Sequence, residues 1–158
     1  MWIISMFLTV FTQATTCDHQ PDRFNCVKFI KNYDGDTITI DIPQVHPFFG
    51  KKAKIRLIGI DTPELRPKGE ANPCEAEWGK VAKKFVENEL SSAKRIDLTD
   101  VKSLDKYGRI LTTLIYDDKN LNKLMIKNYL AVPYYGEKKP KVNWCEMMEK
   151  RKNEGKKL

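Results

Sequence analysis

The sequence predicts a mainly β protein with accompanying helices, of the α+β class: a five-stranded closed barrel flanked by three helices. Three observations carry this. Short β-branched runs alternate with turn residues in the first third of the chain. A long segment then switches to helical spacing. Two further strand runs follow, and behind them two shorter helical segments.

The first arm lies within Val27 to Ile42, where two alternating runs flank Asp34-Gly35-Asp36, a tight-turn signal. Thr37 to Ile42 places its β-branched residues at period two, as in a half-buried strand. Pro43 to Gly50 is turn-rich and separates this arm from a third strand, Lys54 to Ile60. Gly59 marks a bulge or close approach there, and Asp61-Thr62-Pro63 ends the strand. Leu65 to Pro73 reads as an exposed loop. Trp78, Val81, Ala82, Phe85, Val86 and Leu90 recur at helical spacing and form a core face. Ile96 to Leu98 and Ile110 to Tyr116 are two more strands, joined by a charged turn ending in Tyr107-Gly108-Arg109. Asn122 is the expected cap of a short helix through Lys127, with Asn128 at its left-handed end. Trp144 to Glu154 is the third helix, followed by a basic tail. This strand count and order suit an OB-fold, which commonly presents a nucleic-acid face.

A chain of 158 residues allows one domain. Hydrophobic residues make up 41% and aromatic residues 10%, which excludes a disordered chain. No apolar run reaches the ~18 residues of a membrane span. Residues 1–16 carry no charged side chain and hold an apolar stretch from Trp2 to Phe11, then small and polar residues. They read as a secretory signal peptide, although no Lys or Arg precedes the apolar stretch. A buried N-terminal strand is a second reading. A lipoprotein signal ending at Cys17 is a third, which lacks the usual leucine and small residues. Residues 17–158 are then the mature domain, exported to the periplasm or the medium, without stable membrane association, as a monomer.

Cysteine usage fits export. Cys17, Cys26, Cys74 and Cys145 all follow the expected cleavage point, and four cysteines allow three connectivities. Cys17 and Cys26 are near enough to close a short loop, which leaves Cys74 with Cys145 across a long one. A zinc site is the competing reading, but the sequence has no CxxC pair and only His19 and His46.

Three segments concentrate charge at the edges of apolar strands: Asp34 to Thr37, Ile55 to Glu64, and Asp105 to Arg109. Asp36 and Asp61 end different strands and can converge. With a main-chain carbonyl and waters, they make a hard-oxygen site suited to Ca²⁺. Arg56 and Arg109 can grip one phosphate. Glu64 can orient or deprotonate a water. Singly, each has a bland alternative: turn chemistry for Asp34, Asp36 and Asp61, solvated strand positions for the arginines, a helix-start carboxylate for Glu64. The set, in one order at strand ends, favours a site.

These three segments resemble those of the staphylococcal nuclease (thermonuclease) family. The likeness runs from about Tyr33 to Ala131 and includes the helical runs Glu75 to Leu90 and Leu121 to Ala131. It implies an OB-fold with three helices and a Ca²⁺-dependent endonuclease without sequence specificity, hydrolysing DNA and RNA to 3′-phosphate and 5′-hydroxyl ends. By motif, Asp36, Asp61 and the Thr62 carbonyl match calcium ligands. Arg56, Glu64 and Arg109 match catalytic residues. Lys106 and Tyr107 match positions that contact the nucleotide phosphate. Tyr134 and Tyr135 fall where the family has nucleotide-facing tyrosines, at different spacing; base stacking and barrel-edge packing both remain open for them. The Pro43 to Gly50 segment looks longer than in compact members, and the four cysteines suggest an exported, disulfide-stapled variant.

The net charge of +7 fits a polyanionic partner, with single strands favoured. No segment offers a base-reading helix. The alternative function is a catalytically silent OB-fold module that binds nucleic acid, though such a module would be expected to have lost some of the five matched side chains. A third reading is a secreted basic protein that acts by surface binding.

Overall fold

A computed structural model describes residues 17–67 and 72–155. The expected signal peptide (1–16) and the basic tail (156–158) lie outside the described residues.

A meander opens the barrel. β1 (Lys28–Asn32), β2 (Thr37–Asp41) and β3 (Ala53–Leu57) pair antiparallel in order. Ile38, Ile40, Ile55 and Leu57 alternate inward and are buried, while Thr37, Thr39, Lys54 and Arg56 face outward. β3 then runs parallel to β6 (Ile110–Tyr116), which pairs antiparallel with β5 (Ile96–Thr99). The order β1-β2-β3-β6-β5 closes between its ends. Phe24 and Leu98 exchange backbone bonds of 3.0 and 2.8 Å, and Val27 N donates to Ile96 O at 2.9 Å. Five strands closed around one parallel pair are the OB-type barrel that the sequence predicts.

The expected third strand, Lys54 to Ile60, breaks in two. Gly59 takes φ +74°, a conformation that side chains rarely adopt. The chain leaves the barrel there and forms β4 (Ile60–Asp61), which pairs with β8 (Val132–Pro133). This exit turns Asp61 toward Arg56.

Four helices are present among the described residues, where three were expected. The extra one, α1 (Pro47–Gly50), is a single turn in the turn-rich segment, with proline at its first position and His46 Nδ1 accepting from Phe48 N. α2 (Glu75–Ser91) buries Trp78, Ala82, Val86 and Leu90 against the barrel, with Val81 and Phe85 half-buried. Its Trp78 Nε1 donates to Tyr129 O at 2.7 Å.

α3 (Leu121–Lys127) corrects two expectations. Its cap is Asn120, which accepts from Lys123 N at 2.9 Å. Asn122 is instead buried, donating to Ile58 O at 2.7 Å and accepting from Leu114 N at 3.2 Å. The broken strand frees backbone groups near Ile58 that need a partner, and Asn122 supplies it. The left-handed residue after the helix is Tyr129, φ +60°, not Asn128. Asn128 spends its amide on Leu124 O and its carbonyl oxygens on Arg151. That arginine comes from α4 (Trp144–Asn153), is itself buried, and packs over the Phe85 ring.

Both disulfides of the second-guessed pairing are present: Cys17–Cys26 and Cys74–Cys145. The second joins the start of α2 to the start of α4. Among the described residues no cysteine is free, so the zinc reading has no thiolate to use. Among them also, no helix is long and apolar enough to cross a membrane.

Candidate active site

The β1–β2 turn is built by its first carboxylate. Asp34 Oδ1 accepts from Asp36 N at 3.0 Å and Thr37 N at 2.7 Å. Asp34 is thus turn chemistry, as the bland alternative had it, and its work presents Asp36 inward. Asp36 is buried and accepts from Thr62 N and Oγ1 at 3.1 and 2.8 Å. Its ion-pair partner is the Arg56 guanidinium, which also reaches Asp61 Oδ1 and Ile60 O, each at 3.3 Å. Asp61 is buried as well. Burial is the largest influence on the Asp36 carboxyl and pushes it up to about 7, against the pull of Arg56 and Thr62.

The network continues outward. Lys139 Nζ lies 3.0 Å from Asp61 Oδ1 and 2.8 Å from Glu64 Oε1. Asp36, Arg56, Asp61, Lys139 and Glu64 therefore form one row of alternating charge. Burial pulls the Lys139 ammonium down, but its bonds to Glu64 and Asp61 outweigh that and hold it above the usual lysine range.

The second arginine arrives on a different turn. Asp105 accepts from Tyr107 N at 2.9 Å and Arg109 N at 3.0 Å, and binds the Arg109 guanidinium at 2.7 Å. Burial would raise the Asp105 carboxyl; the backbone and side-chain bonds from Arg109 outweigh it and hold the group below the ordinary carboxylate range. Arg109 Nη1 donates to Thr37 Oγ1 at 3.0 Å, and Thr37 Oγ1 lies 3.3 Å from Asp36 Oδ1. Arg109 is thereby tied to the Asp36 end of the row.

Arg56 and Arg109 line one cleft of ≈390 Å³, floored by Leu57, Ile58 and Gly59. Tyr134 and Tyr135 line the same cleft. Tyr134 is half-buried, donating its hydroxyl to Glu137 O, while Tyr135 is 84% exposed. Barrel-edge packing thus describes Tyr134 in part and Tyr135 not at all. Tyr107 is exposed beside Lys106 and Arg109, both within cation–π range. Glu64 and Asp61 border a neighbouring cleft with Lys139 and Trp144.

Three positioning features escaped sequence reasoning. Lys139 was only one lysine of a basic stretch; no local pattern marks contacts across 75 positions. Thr37 was a strand residue. Gly79 was a helical position without comment. A Cβ there would lie 2.9 Å from Pro63 O and 3.0 Å from Glu64 O, so α2 and the Glu64 segment approach closely only because residue 79 is glycine.

The barrel with its parallel β3–β6 pair, carrying arginines and carboxylates on one rim, defines the class as an OB-fold protein of the α+β type. The chain belongs to the staphylococcal nuclease homologue family, whose model matches residues 54–158. It is similar to a thermonuclease of Staphylococcus hyicus, 31% identical over 133 residues, covering 83% of this chain and 71% of that protein. A thermonuclease of Staphylococcus intermedius is 37% identical over 100 residues, 62% of this chain and 53% of that protein. An uncharacterized endonuclease of Haemophilus influenzae is 30% identical over 132 residues, 84% of this chain and 64% of that protein. The chain thus spans from about half to about seven-tenths of these relatives. Arg56, Asp61, Glu64 and Arg109 fall inside the family match, whereas Asp36 precedes it.

Proposed function

We propose that this protein is a nuclease that hydrolyses phosphodiester bonds of DNA and RNA without sequence specificity. The observation that carries the reading is the cleft lined by Arg56 and Arg109, backed by the buried carboxylates Asp36 and Asp61. Relatives named thermonuclease and endonuclease support it.

Calcium is the implied cofactor, and the donors suit it. Asp36 and Asp61 are buried, come from separate segments and meet at one guanidinium. Together with Glu64 they outnumber the two cations among them, Arg56 and Lys139. Among the described residues no three acidic, cysteine or histidine side chains converge as a ready cage. A hard cation held by two carboxylates and the Thr62 carbonyl would therefore fill its remaining positions with water. Bound there, Ca²⁺ supplies positive charge to the phosphoryl oxygens.

The protein groups then have separate tasks. Arg109 donates from a turn fixed by Asp105 and stabilises charge that grows on the phosphorus-bound oxygens. Arg56 does the same while holding Asp36 and Asp61 in register. Glu64 takes the proton of an attacking water, whose oxygen forms the new bond to phosphorus. The bond to the 5′ oxygen breaks, and that oxygen is protonated from solvent. The products are a 3′-phosphate and a 5′-hydroxyl. Lys106 and Tyr107 flank the phosphate, and Tyr134 and Tyr135 offer faces for base stacking. Unpaired bases are needed for stacking, which favours single strands.

Digestion of single-stranded DNA with Ca²⁺, and with a chelator, tests the reading. Calcium-dependent cleavage leaving 3′-phosphate ends is expected. Binding without cleavage would return the protein to the silent-module alternative.

We further propose that residues 17–158 act as one exported domain, with 1–16 as its leader and as a monomer. Two disulfides support an oxidising destination. N-terminal sequencing of the exported chain, with sedimentation, checks both; a chain that retains Met1 overturns the leader.

A further inference from the structure

A second cleft, of ≈470 Å³, opens on the outer face of the barrel, lined by Lys31, Tyr33, Lys54, Lys83, Tyr107 and Arg109 among others. No Asp or Glu lines it. Sequence pairing explains its shape. Lys31 lies opposite Thr39, and Thr39 opposite Lys54, so these three form one row across β1, β2 and β3. Thr37 and Arg56 form the next row. The rows stand two residues apart, about 6.8 Å along a strand, which is the scale of successive phosphates in an extended single strand. Lys83 joins from α2, which Asn32 fastens to β1 by donating its amide to Lys83 O at 2.9 Å. Among the described residues, no hydrogen bond or ion pair engages the ammonium groups of Lys31, Lys54 or Lys83, unlike Lys139 and Lys51. Tyr33 and Tyr107 are 63% and 70% exposed at the rim. Arg109 belongs to both clefts and joins them.

We infer that this cleft is a second nucleotide subsite, which takes the phosphate and base next to those at Arg56 and Arg109. It rests on the nuclease reading for the position of the first phosphate. Ammonium groups without carboxylate neighbours suit a backbone phosphate, and exposed tyrosine faces suit an unstacked base of any identity. Lys31 and Lys54 are exposed and Lys83 half-buried, so replacing them leaves the core intact.

The experiment compares the parent with Lys31→Ala/Lys54→Ala/Lys83→Ala. Binding of a labelled single-stranded dodecanucleotide is read by anisotropy in a Glu64→Gln background. Cleavage of a dinucleotide is read in the active background. The triple variant should bind the longer strand about ten-fold more weakly, with a salt slope shallower by about 2, at about 0.7 per lost phosphate contact. Dinucleotide cleavage should stay within two-fold. Unchanged dodecanucleotide binding and slope would overturn the subsite while leaving the nuclease reading standing. Parent protein that binds the strand through these lysines yet cleaves neither substrate supports the subsite and sinks the nuclease reading. Inorganic polyphosphate binding as tightly as the strand would also overturn it, because bases would then contribute nothing.

Discussion

Lys139 and Glu64, 75 positions apart in sequence, are ion-paired at 2.8 Å, and the same ammonium reaches Asp61 at 3.0 Å. A side-chain cation thus stands between the carboxylate proposed to hold calcium and the one proposed to move the proton. Lys139→Met should tighten calcium binding by up to about five-fold, the scale of a half-exposed ion pair. Calorimetric titration checks this. Unchanged or weaker binding would assign Lys139 to holding its own segment in place.

The two arginines should fail differently. Arg109→Ala and Arg56→Ala should each cut turnover by about 10² or more. Arg56→Ala should in addition destabilise the fold by about 3–5 kcal/mol, since it leaves Asp36 buried without its charge partner. Urea denaturation compares them, with equal midpoints counting against the distinction. Glu64 is 52% exposed, so Glu64→Gln should lower turnover by about 10²–10⁴ with stability unchanged.

Gly79→Ala puts a methyl group against Pro63 O and Glu64 O. Overpacking of this kind costs about 1–3 kcal/mol. The displaced segment carries Glu64, so turnover should fall more than nucleotide affinity does. A variant with parental turnover would show that the segment yields without moving the carboxylate.

Selective reduction of Cys74–Cys145 releases a loop with a sequence separation of 71. Chain-entropy arithmetic gives about 4 kcal/mol, hence about 10 °C in melting temperature. The same bond anchors the start of α4, just beyond Lys139, so calcium affinity should change on reduction too. Calorimetry before and after reduction measures both.

Asp105 is held below the usual carboxylate range, so its stabilising bonds exist above the ordinary pKa and vanish as pH falls through the depressed one. Asp105→Asn should therefore lower stability and turnover at neutral pH. The stability gap should close in acid below about pH 4. A gap independent of pH would mean the turn holds through its backbone alone.

Much of the barrel was legible because its signals are local. Period-two burial at Ile38 and Ile40 and helical spacing from Trp78 to Leu90 each need only a few neighbours in sequence. The charged motifs were legible as strand-end clusters, since residues such as Asp34 organise turns within two or three positions. What failed were choices among equivalent local signals. Asn120 and Asn122 are both adequate caps; the broken strand at Ile58 claims Asn122 for the core. Asn128 and Tyr129 both end a helix; Arg151, arriving from α4, occupies Asn128.

By itself the sequence determined the strand order, the residue types at the rim, the basic balance and a workable pairing of cysteines, because covalent order and side-chain chemistry are local properties. Tertiary structure alone decided that β4 leaves the barrel, that Arg56 joins Asp36 to Asp61, and that Lys139 stands beside Glu64. It also decided that three unneutralised lysines share a cleft with Arg109. Those relations depend on closing loops of tens of residues, and contact energy between distant groups leaves no periodic trace in the chain.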